Sequence, residues 1–318
     1  MNPRIGLFGK LPAAGDFVAF NAANPIARQL DQWLQAGVDT VVRRGKPLPP
    51  APVRFLYRDS SCSGACVGVF VPSQDRVGRV FPLAAFTYVD MPVAIHRFPF
   101  LPAAYAPFLD GAGALLHQAS QTQTEPGALM QQLGTTLPMP SPQELEEARV
   151  WGYHVLDATP GQALLEALFG PISAGVHFHG FNMFLSACAQ VRGGAAATAT
   201  TVLECSASDD VQIVFWLRLA YELLHWQRAP PCLFWSGADS HDPRLMVSLG
   251  SPDPSVLHYL SDPALRTERL WPTVTDNARS IEHGRQSLDP VVVKALEPPA
   301  PTASHILAAL LTPPVATE

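Results

Sequence analysis

The fold class is indicated most clearly by residues 53–89, whose sequence is VRFLYRDSSCSGACVGVFVPSQDRVGRVFPLAAFTYV. Three segments within it are short and rich in β-branched and aromatic residues, namely Val53–Tyr57, Cys66–Val71 and Val80–Val89. Residues of these types are enriched in β-strands, and the Gly, Pro, Ser and Asp residues between the segments are typical of turns. The stretch therefore predicts three strands joined by loops.

The segments on either side of this stretch add further strands and helices. Ile5–Phe8 predicts a first strand, which runs into a Gly- and Pro-containing loop over residues 9–15. Apolar residues recur every three to four positions from Pro25 to Gly45, and Ala103–Gln121 has a similar spacing, so both stretches are predicted to be helices. We expect residues 1–138 to form one α/β unit on this basis.

Prolines and threonines between Thr135 and Pro142 indicate a domain boundary. After this boundary, helices are predicted over 143–150 and 160–169, and strands over 176–191 and 198–205. A further helix is predicted over 209–226 and a strand over 232–235. The alternation favours an α/β fold with helices on both faces of a sheet, and it predicts a second, smaller α/β unit over 143–265. The last part of the chain, residues 266–318, is expected to be a Pro-rich, mobile tail. The prolines that suggest this are concentrated after Ser287.

Composition and charge exclude several classes of protein. Hydrophobic residues make up 47% and charged residues 15% of the 318 residues, which predicts a globular chain rather than a disordered one. The formal net charge of −6 is opposite to that of most nucleic-acid-binding proteins, so no nucleic-acid partner is expected. The charge is uneven, at +4 over residues 1–90 and −10 over the rest. Two halves with differently solvated surfaces are the favoured interpretation, and steering of an acidic partner to the N-terminal half is the alternative.

The sequence predicts a cytoplasmic protein. Its N-terminus has an apolar run of only Ile5–Phe8, which is too short for the core of a signal peptide. The most apolar helical stretch, over 211–226, contains Arg218 and Glu222, so it is not expected to span a membrane. The five cysteines are odd in number and scattered, unlike the framework of a secreted disulfide-rich domain.

The sequence contains no complete motif for a nucleotide or metal site. Gly9-Lys10 resembles the end of a phosphate-binding P-loop, but Arg4 and Leu11 occupy the positions of its first glycine and its hydroxyl residue. His177 and His179 would share one face of the predicted strand and offer two metal ligands, without a third. Packed, hydrogen-bonded histidines are the favoured interpretation, and we expect no metal and no cofactor.

Two loop carboxylates, Asp16 and Asp75, are the best candidates for acid–base chemistry, because both lie in Gly-containing loops. The favoured alternative is that each carboxylate caps backbone N–H groups or pairs with Arg76 or Arg79. No complete catalytic constellation is present, so the sequence predicts a protein without enzymatic activity and no catalytic residue. A hydrolytic enzyme that uses Asp16 and Asp75 is the alternative hypothesis.

Three motifs occur in an order and spacing that resemble a known family. They are Phe8-Gly9-Lys10-Leu11-Pro12 followed by Gly15-Asp16-Phe17-Val18, then Asp31-Gln32-Trp33-Leu34-Gln35-Ala36-Gly37, then Pro72-Ser73-Gln74-Asp75-Arg76-Val77-Gly78-Arg79 leading into Phe81-Pro82-Leu83. The chain thereby resembles the TagF (ImpM) family, which is associated with bacterial type VI secretion. The resemblance is specific over residues 5 to about 90 and weaker as far as about residue 262.

The resemblance implies a three-layer α/β/α sandwich for the N-terminal domain and a cytoplasmic accessory protein. It implies a repressor that restrains type VI secretion after translation, acting through a protein–protein interaction with a forkhead-associated (Fha) scaffold component. Any association with a membrane would then be indirect, through the secretion apparatus. Some members of the family carry a fused phosphatase domain, and we do not expect phosphatase activity here.

The motif residues are expected to fall into two groups. Residues that shape the loops and anchor the first helix are Gly9, Pro12, Gly15, Trp33, Pro72, Ser73 and Gly78. Residues proposed to contact a partner are Lys10, Asp16, Asp75, Arg76 and Arg79. The two arginines are suited to an acidic or phosphorylated partner, and an internal ion pair with Asp16 or Asp75 is the equally weighted alternative. Lys10 and Asp16 either face outward or pair with each other.

Overall fold

A computed structural model of the chain describes residues 5–59, 61–62, 64–90, 95–192, 201–224, 231–236, 243–250 and 252–312. The strands within these residues are β1 (Gly6–Gly9), β2 (Val18–Phe20), β3 (Val53–Arg58), β4 (Gly64–Val71), β5 (Leu83–Asp90), β6 (Thr201–Ser206), β7 (Cys232–Ser236), β8 (Arg244–Leu249) and β9 (Leu270–Pro272). The three strands predicted within residues 53–89 are therefore present, and the last of them begins at Leu83 rather than Val80.

The helices lie between and after these strands along the chain. They are α1 (Pro25–Arg43), α2 (Leu101–Ala104), α3 (Ala106–Gln121), α4 (Pro126–Thr136), α5 (Pro142–Ala158), α6 (Gly161–Phe169), α7 (Val176–Arg192), α8 (Asp210–Leu224), α9 (Ser255–Ser261), α10 (Ala278–Ser287), α11 (Pro290–Leu296) and α12 (Ala303–Leu311). The helix predicted over 103–121 is divided at Tyr105, where Pro107 begins a new helical turn. Residues 198–200 and 225–226, which the sequence analysis includes in a strand and a helix, lie outside the described residues.

All nine strands form one sheet in the order β2-β1-β5-β4-β3-β7-β8-β6-β9. Neighbouring strands are antiparallel except β6 and β9, which are parallel. Side chains of one strand point alternately to the two faces, and in β4 Cys66 and Phe70 join one core while Val67 and Val69 join the other. Both faces are covered by helices, so the α/β prediction with three layers is confirmed.

One face of the sheet is covered by α1 and α9, which contact each other. Helix α1 begins with Pro25 in its first turn, where the missing N–H is tolerated, and Asn24 caps it by accepting a hydrogen bond from the N–H of Ile26. Its buried side chains recur at helical spacing. Trp33 stacks on Phe234 of β7, with ring centroids 4.5 Å apart, so α1 is anchored to a strand that lies nearly 200 residues later in the chain.

The prediction of a strand over 176–191 is wrong, because this segment is the helix α7. Its aromatic residues are typical of strands, but Phe181, Phe184 and Cys188 are buried at helical spacing against the opposite face of the sheet. On a helix, residues two apart are separated by about 200° around the axis. His177 and His179 therefore do not share one face.

The prediction of a mobile tail over 266–318 is wrong for residues 266–312. Strand β9 extends the sheet, α10 packs against α7, and α12 packs against α8. Pro290 lies in the first turn of α11, and Pro298, Pro299 and Pro301 lie between α11 and α12, so the prolines separate the helices without preventing them. Leu296 and Ile306 are fully buried. Residues 313–318, with Pro313 and Pro314, lie outside the described residues.

The predicted domain boundary falls in a short connection between helices. Helix α4 ends at Thr136 and α5 begins at Pro142. Strands from both predicted units nevertheless belong to the same sheet, since β3 pairs with β7 and places Phe55 opposite Phe234. That residues 1–138 and residues 143–265 form two separate units stays a prediction.

Candidate functional site

Two loops that carry the sequence motifs lie side by side at one end of the sheet. The first loop joins β1 to β2 and the second joins β4 to β5. Because β1 pairs with β5 and places Gly9 opposite Leu83, the two loops leave the sheet next to each other. They are also hydrogen-bonded: the N–H of Arg76 donates to the carbonyl of Ala14 at 2.9 Å, and Arg79 Nη2 donates to the carbonyl of Gly15 at 2.6 Å.

Asp75 lies at the centre of this junction, and its side chain has no exposed surface. Its Oδ2 contacts Lys10 Nζ at 3.1 Å and accepts a hydrogen bond from Arg79 Nε at 2.6 Å. Its Oδ1 accepts from the backbone N–H groups of Arg79, at 2.9 Å, and Val77, at 3.1 Å. Burial alone would raise the pKa of Asp75, but these hydrogen bonds outweigh burial and hold the pKa well below its ordinary value. Asp75 is therefore an ionised crosslink between the two loops.

We expect this crosslink to make part of the protein's stability dependent on pH. Folding lowers the pKa of Asp75, so the stabilisation is present at neutral pH and is lost as the pH falls below about 4, through the folded-state pKa. The urea midpoint of the wild-type protein should therefore fall more steeply between about pH 5 and about pH 2 than that of Asp75→Asn. Asp16→Asn removes an exposed carboxylate that has no hydrogen bond or ion pair with another of the described residues, and it serves as the control variant. Parallel pH profiles for wild type and Asp75→Asn would show that the carboxylate does not carry this role.

Glycines allow the two loops to approach closely. Gly9 has φ +130°, and a Cβ at this position would lie 2.1 Å from the carbonyl oxygen of Pro82. Gly78 has φ +86° and closes a turn in which its N–H donates to the carbonyl of Asp75 at 2.9 Å. At Gly15, an added Cβ would lie 3.0 Å from Arg76 Nη2, so the Arg76 side chain lies against the backbone of the first loop.

The outer side of the two loops presents both charge and apolar area. We use the name motif surface for six of the exposed residues of these loops: Asp16, Phe17, Arg76, Val77, Arg79 and Val80. Phe17 is 42% exposed, Val77 is 69% exposed and Val80 is 48% exposed. Phe17 is held in place by edge-on contact with Phe81, at 5.3 Å between ring centroids, and it also stacks on Phe8.

Some charged residues of the motifs form internal ion pairs, and others are exposed. Arg79 pairs with Asp75, one of the two internal partners considered for it. Lys10 also pairs with Asp75, so the prediction that it faces outward or pairs with Asp16 is wrong. Asp16 and Arg76 are exposed, and neither side chain has a hydrogen bond or ion pair with another of the described residues. The structure thus brings Lys10, Asp75 and Arg79 together and leaves Asp16 and Arg76 facing solvent.

The remaining motif residues have supporting positions. Trp33 belongs to the core under α1 and contacts Tyr57 and Phe234 rather than the loops. The carbonyl of Ser73 accepts a hydrogen bond from the N–H of Phe81, which closes the base of the second loop. Pro12 and Pro72 are half-buried at the starts of the loops.

The sequence patterns did not predict the apolar component of this surface. Phe17, Val77 and Val80 stand beside charged residues in loops, where strand alternation does not predict which side chains are exposed. One signal in the sequence could have indicated their exposure. These large apolar residues lie in the two polar motifs, where no sheet face is available for them to pack on.

Other features of the described residues bear on the classes of function. Among residues 5–312, apart from the gaps given above, no group of three or more His, Cys, Asp or Glu side chains is arranged to hold a metal ion. In the same part of the chain, no helix combines the length and the apolar character needed to cross a bilayer.

A match to a known protein family agrees with the motifs. Residues 6–136 match the family model of the TagF N-terminal domain, described as type VI secretion system-associated. Among solved structures, the crystal structure of PA0076 from Pseudomonas aeruginosa PAO1 is similar, with 18% sequence identity and a TM-score of 0.46 over 84% of this chain and 98% of that chain. No curated protein sequence matches the chain. Residues 6–136, which contain both motif loops and α1, are thus similar to the TagF N-terminal domain, which is described as type VI secretion system-associated.

Proposed function

We propose that this protein is a cytoplasmic, negative regulator of type VI secretion that acts after translation by binding an Fha scaffold component, and that it catalyses no reaction. The association with type VI secretion rests on the family match over residues 6–136. The observation that carries the binding role is the motif surface, which combines exposed Phe17, Val77 and Val80 with Arg76. The Arg76 side chain has no hydrogen bond or ion pair with another of the described residues. Loops on a rigid scaffold are suited to binding another protein when they present exposed apolar side chains and charged side chains that have no internal partner.

The Asp75 crosslink supports this role because it orders the surface before a partner arrives. Lys10 and Arg79 hold the two loops together through Asp75, so the side chains beside them need less ordering on binding. We assign Lys10, Asp75 and Arg79 to shaping the surface, and Arg76 and Asp16 to contacting the partner. The partner is expected to present a carboxylate or phosphate to Arg76, with apolar side chains around it.

The alternative of a hydrolytic enzyme that uses Asp16 and Asp75 is less well supported. A general base needs a free carboxylate oxygen within reach of its substrate. Both oxygens of Asp75 already accept hydrogen bonds from backbone and side-chain donors, and the side chain has no exposed surface. Only Asp16 is open to solvent, and one exposed carboxylate does not supply an acid–base pair.

The proposal is tested by the amount of type VI substrate released from cells. Cells that lack their own copy would receive the wild-type gene, Arg76→Glu, or Arg28→Glu as a control at an exposed arginine of α1. We expect wild type and Arg28→Glu to repress secretion and Arg76→Glu to lose repression while remaining soluble. Exposed charges contribute little to folding, so the melting temperature of Arg76→Glu should stay close to that of wild type.

Arg79 should respond differently from Arg76. Arg79→Ala removes the hydrogen bonds to Asp75 and to the carbonyl of Gly15, so its melting temperature should fall. Full repression by a soluble, folded Arg76→Glu protein would exclude the motif surface from the regulatory mechanism, whatever the effect of Arg79→Ala.

A further inference from the structure

Helix α5 exposes two large apolar side chains that belong to neither motif loop. Val150 is 55% exposed and Trp151 is 38% exposed, although residues of these types are more often buried. They line a shallow groove of about 490 Å³, together with Gln143, Glu146, Glu147 and His154. Exposed apolar side chains that adjoin one another and are rimmed by polar ones are typical of an interaction surface.

The exposed residues around Val150 and Trp151 are arranged symmetrically along the helix. Six exposed residues fall within about 100° of the helix circumference, and we call them the α5 face: Gln143, Glu147, Val150, Trp151, His154 and Ala158. The midpoint of this face lies between Val150 and Trp151, and Glu147 and His154 lie at equal distances on either side of it. A second α5 that runs antiparallel, related by a two-fold axis at this midpoint, therefore places Glu147 of each helix level with His154 of the other.

Glu147 and His154 are chemically complementary, and both have unused hydrogen-bonding capacity. Glu147 Oε1 accepts a hydrogen bond from Gln143 Nε2 at 2.8 Å, and its Oε2 has no bond to another of the described residues. The side chain of His154 is exposed and likewise has no hydrogen bond or ion pair within the described part of the chain. An imidazole N–H can donate to a carboxylate whether the ring is neutral or charged. Two such contacts, one on each side of the apolar centre, would fix the register of an antiparallel pair.

We propose that the α5 face is the interface of a two-fold symmetric dimer, in which a second copy of this chain packs its α5 antiparallel to the first. Val150 and Trp151 of both copies form one apolar layer at the axis, and Glu147 of each copy accepts a hydrogen bond from the partner's His154. A two-fold contact of this kind is closed, so assembly stops at two copies. One pair of helices covers less area than the roughly 1,600 Å² of a standard interface, so the dimer should be weak and should dissociate on dilution.

Sedimentation of the purified full-length protein, from low micromolar to several hundred micromolar concentration, measures this association. The mass of the wild-type protein should rise from that of the monomer towards twice that value. Val150→Glu should associate at least about tenfold more weakly, because it brings two carboxylates together at the axis. Val291→Glu is the matched control, since Val291 is a valine of α11 with a similar exposure of 49%, and this variant should associate like wild type.

Cysteine crosslinking tests the antiparallel register. The double variant Glu147→Cys/His154→Cys would place two pairs of cysteines opposite each other across the dimer. Within one chain the two positions are about 10 Å apart along the helix, which is too far for a disulfide. In each single variant, the two introduced cysteines of a dimer are separated by a similar distance. Mild oxidation should therefore give a covalent dimer with the double variant and not with either single variant. The single variants also retain the half-buried Cys62, so they control for crosslinking through it.

Three results would overturn the proposal. A wild-type protein that stays monomeric at several hundred micromolar would leave the α5 face to a different partner. A dimer that Val150→Glu does not weaken would be formed by another surface, and equal crosslinking by single and double variants would contradict the antiparallel register. The sedimentation of the wild-type protein needs no variant, so it tests the proposal even if a substitution disturbs folding.

Discussion

Replacing Trp33 with alanine is expected to lower the free energy of unfolding by about 3 to 5 kcal/mol, the range for deleting a fully buried large aromatic side chain. Trp33 is 4% exposed and stacks on Phe234 with an interplanar angle of 10°. It also contacts Tyr57 of β3, so its removal leaves a cavity between α1 and two strands of the sheet. Because domains of this kind are stable by only about 5 to 15 kcal/mol, the variant should accumulate as soluble protein at a markedly lower level.

Urea unfolding of the purified variants measures this effect. Val42→Ala is the matched control, since Val42 lies on the same helix and is 54% exposed, and it should change stability by no more than about 0.5 kcal/mol. Trp33→Phe keeps an aromatic ring and should fall between the two. A Trp33→Ala protein that unfolds at the wild-type urea concentration would show that Trp33 does not anchor α1.

The second large effect is expected for Gly9→Ala, at about 2 to 5 kcal/mol, which combines backbone strain at positive φ with steric overlap. The overlap is with backbone: the added Cβ would lie 2.1 Å from the carbonyl oxygen of Pro82 and 2.8 Å from the Cα of Leu83. Neither atom can move without disturbing the pairing of β1 with β5. The substitution should therefore displace the two motif loops relative to each other.

Gly78→Ala separates strain from overlap. Gly78 also has positive φ, at +86°, but no atom lies within 4 Å of the added Cβ, so only the strain of about 1 to 2 kcal/mol applies. Thermal or urea unfolding should rank wild type above Gly78→Ala and Gly78→Ala above Gly9→Ala. Equal losses at the two glycines would contradict the close approach of the loops.

Local sequence patterns predicted most of the helices and strands, because residue types and apolar spacing within a short segment are enough to indicate them. The strands β3 and β4 and the helix α1 follow from residue types and apolar spacing alone. The same rules failed for α7, where aromatic residues at helical spacing resembled a strand, and for residues 266–312, where prolines at helix starts resembled disorder. In each case packing against the rest of the protein overrode the local preference.

Long-range pairing was beyond the reach of the sequence. Nothing in the segment Val53–Arg58 indicates that it pairs with Cys232–Ser236, although this contact joins the two predicted units into one sheet. The same limit applies to the loops. The sequence identified Lys10, Asp75 and Arg79 as charged motif residues and left their pairing open, since the partner of a carboxylate depends on which strands are neighbours.

The sequence singled out the charged residues of the motif surface and not its apolar residues. Arg76 and Asp16 are exposed, and their contact with a partner stays a prediction. Phe17, Val77 and Val80 were absent from the predicted site because large apolar residues are ordinarily assigned to the core. Their clustering on two loops became visible only when the pairing of β1 and β5 placed the loops side by side.

The most direct test of the proposed function is the affinity of the purified protein for the purified Fha scaffold component, measured by titration calorimetry. Wild type and Arg28→Glu should bind saturably and with the same affinity. Arg76→Glu should bind about thirty-fold more weakly or worse, since removing one partner of a desolvated interfacial charge pair costs about 2 to 5 kcal/mol of binding free energy. Absence of binding by the wild type, or equal binding by a folded Arg76→Glu protein, would contradict the account.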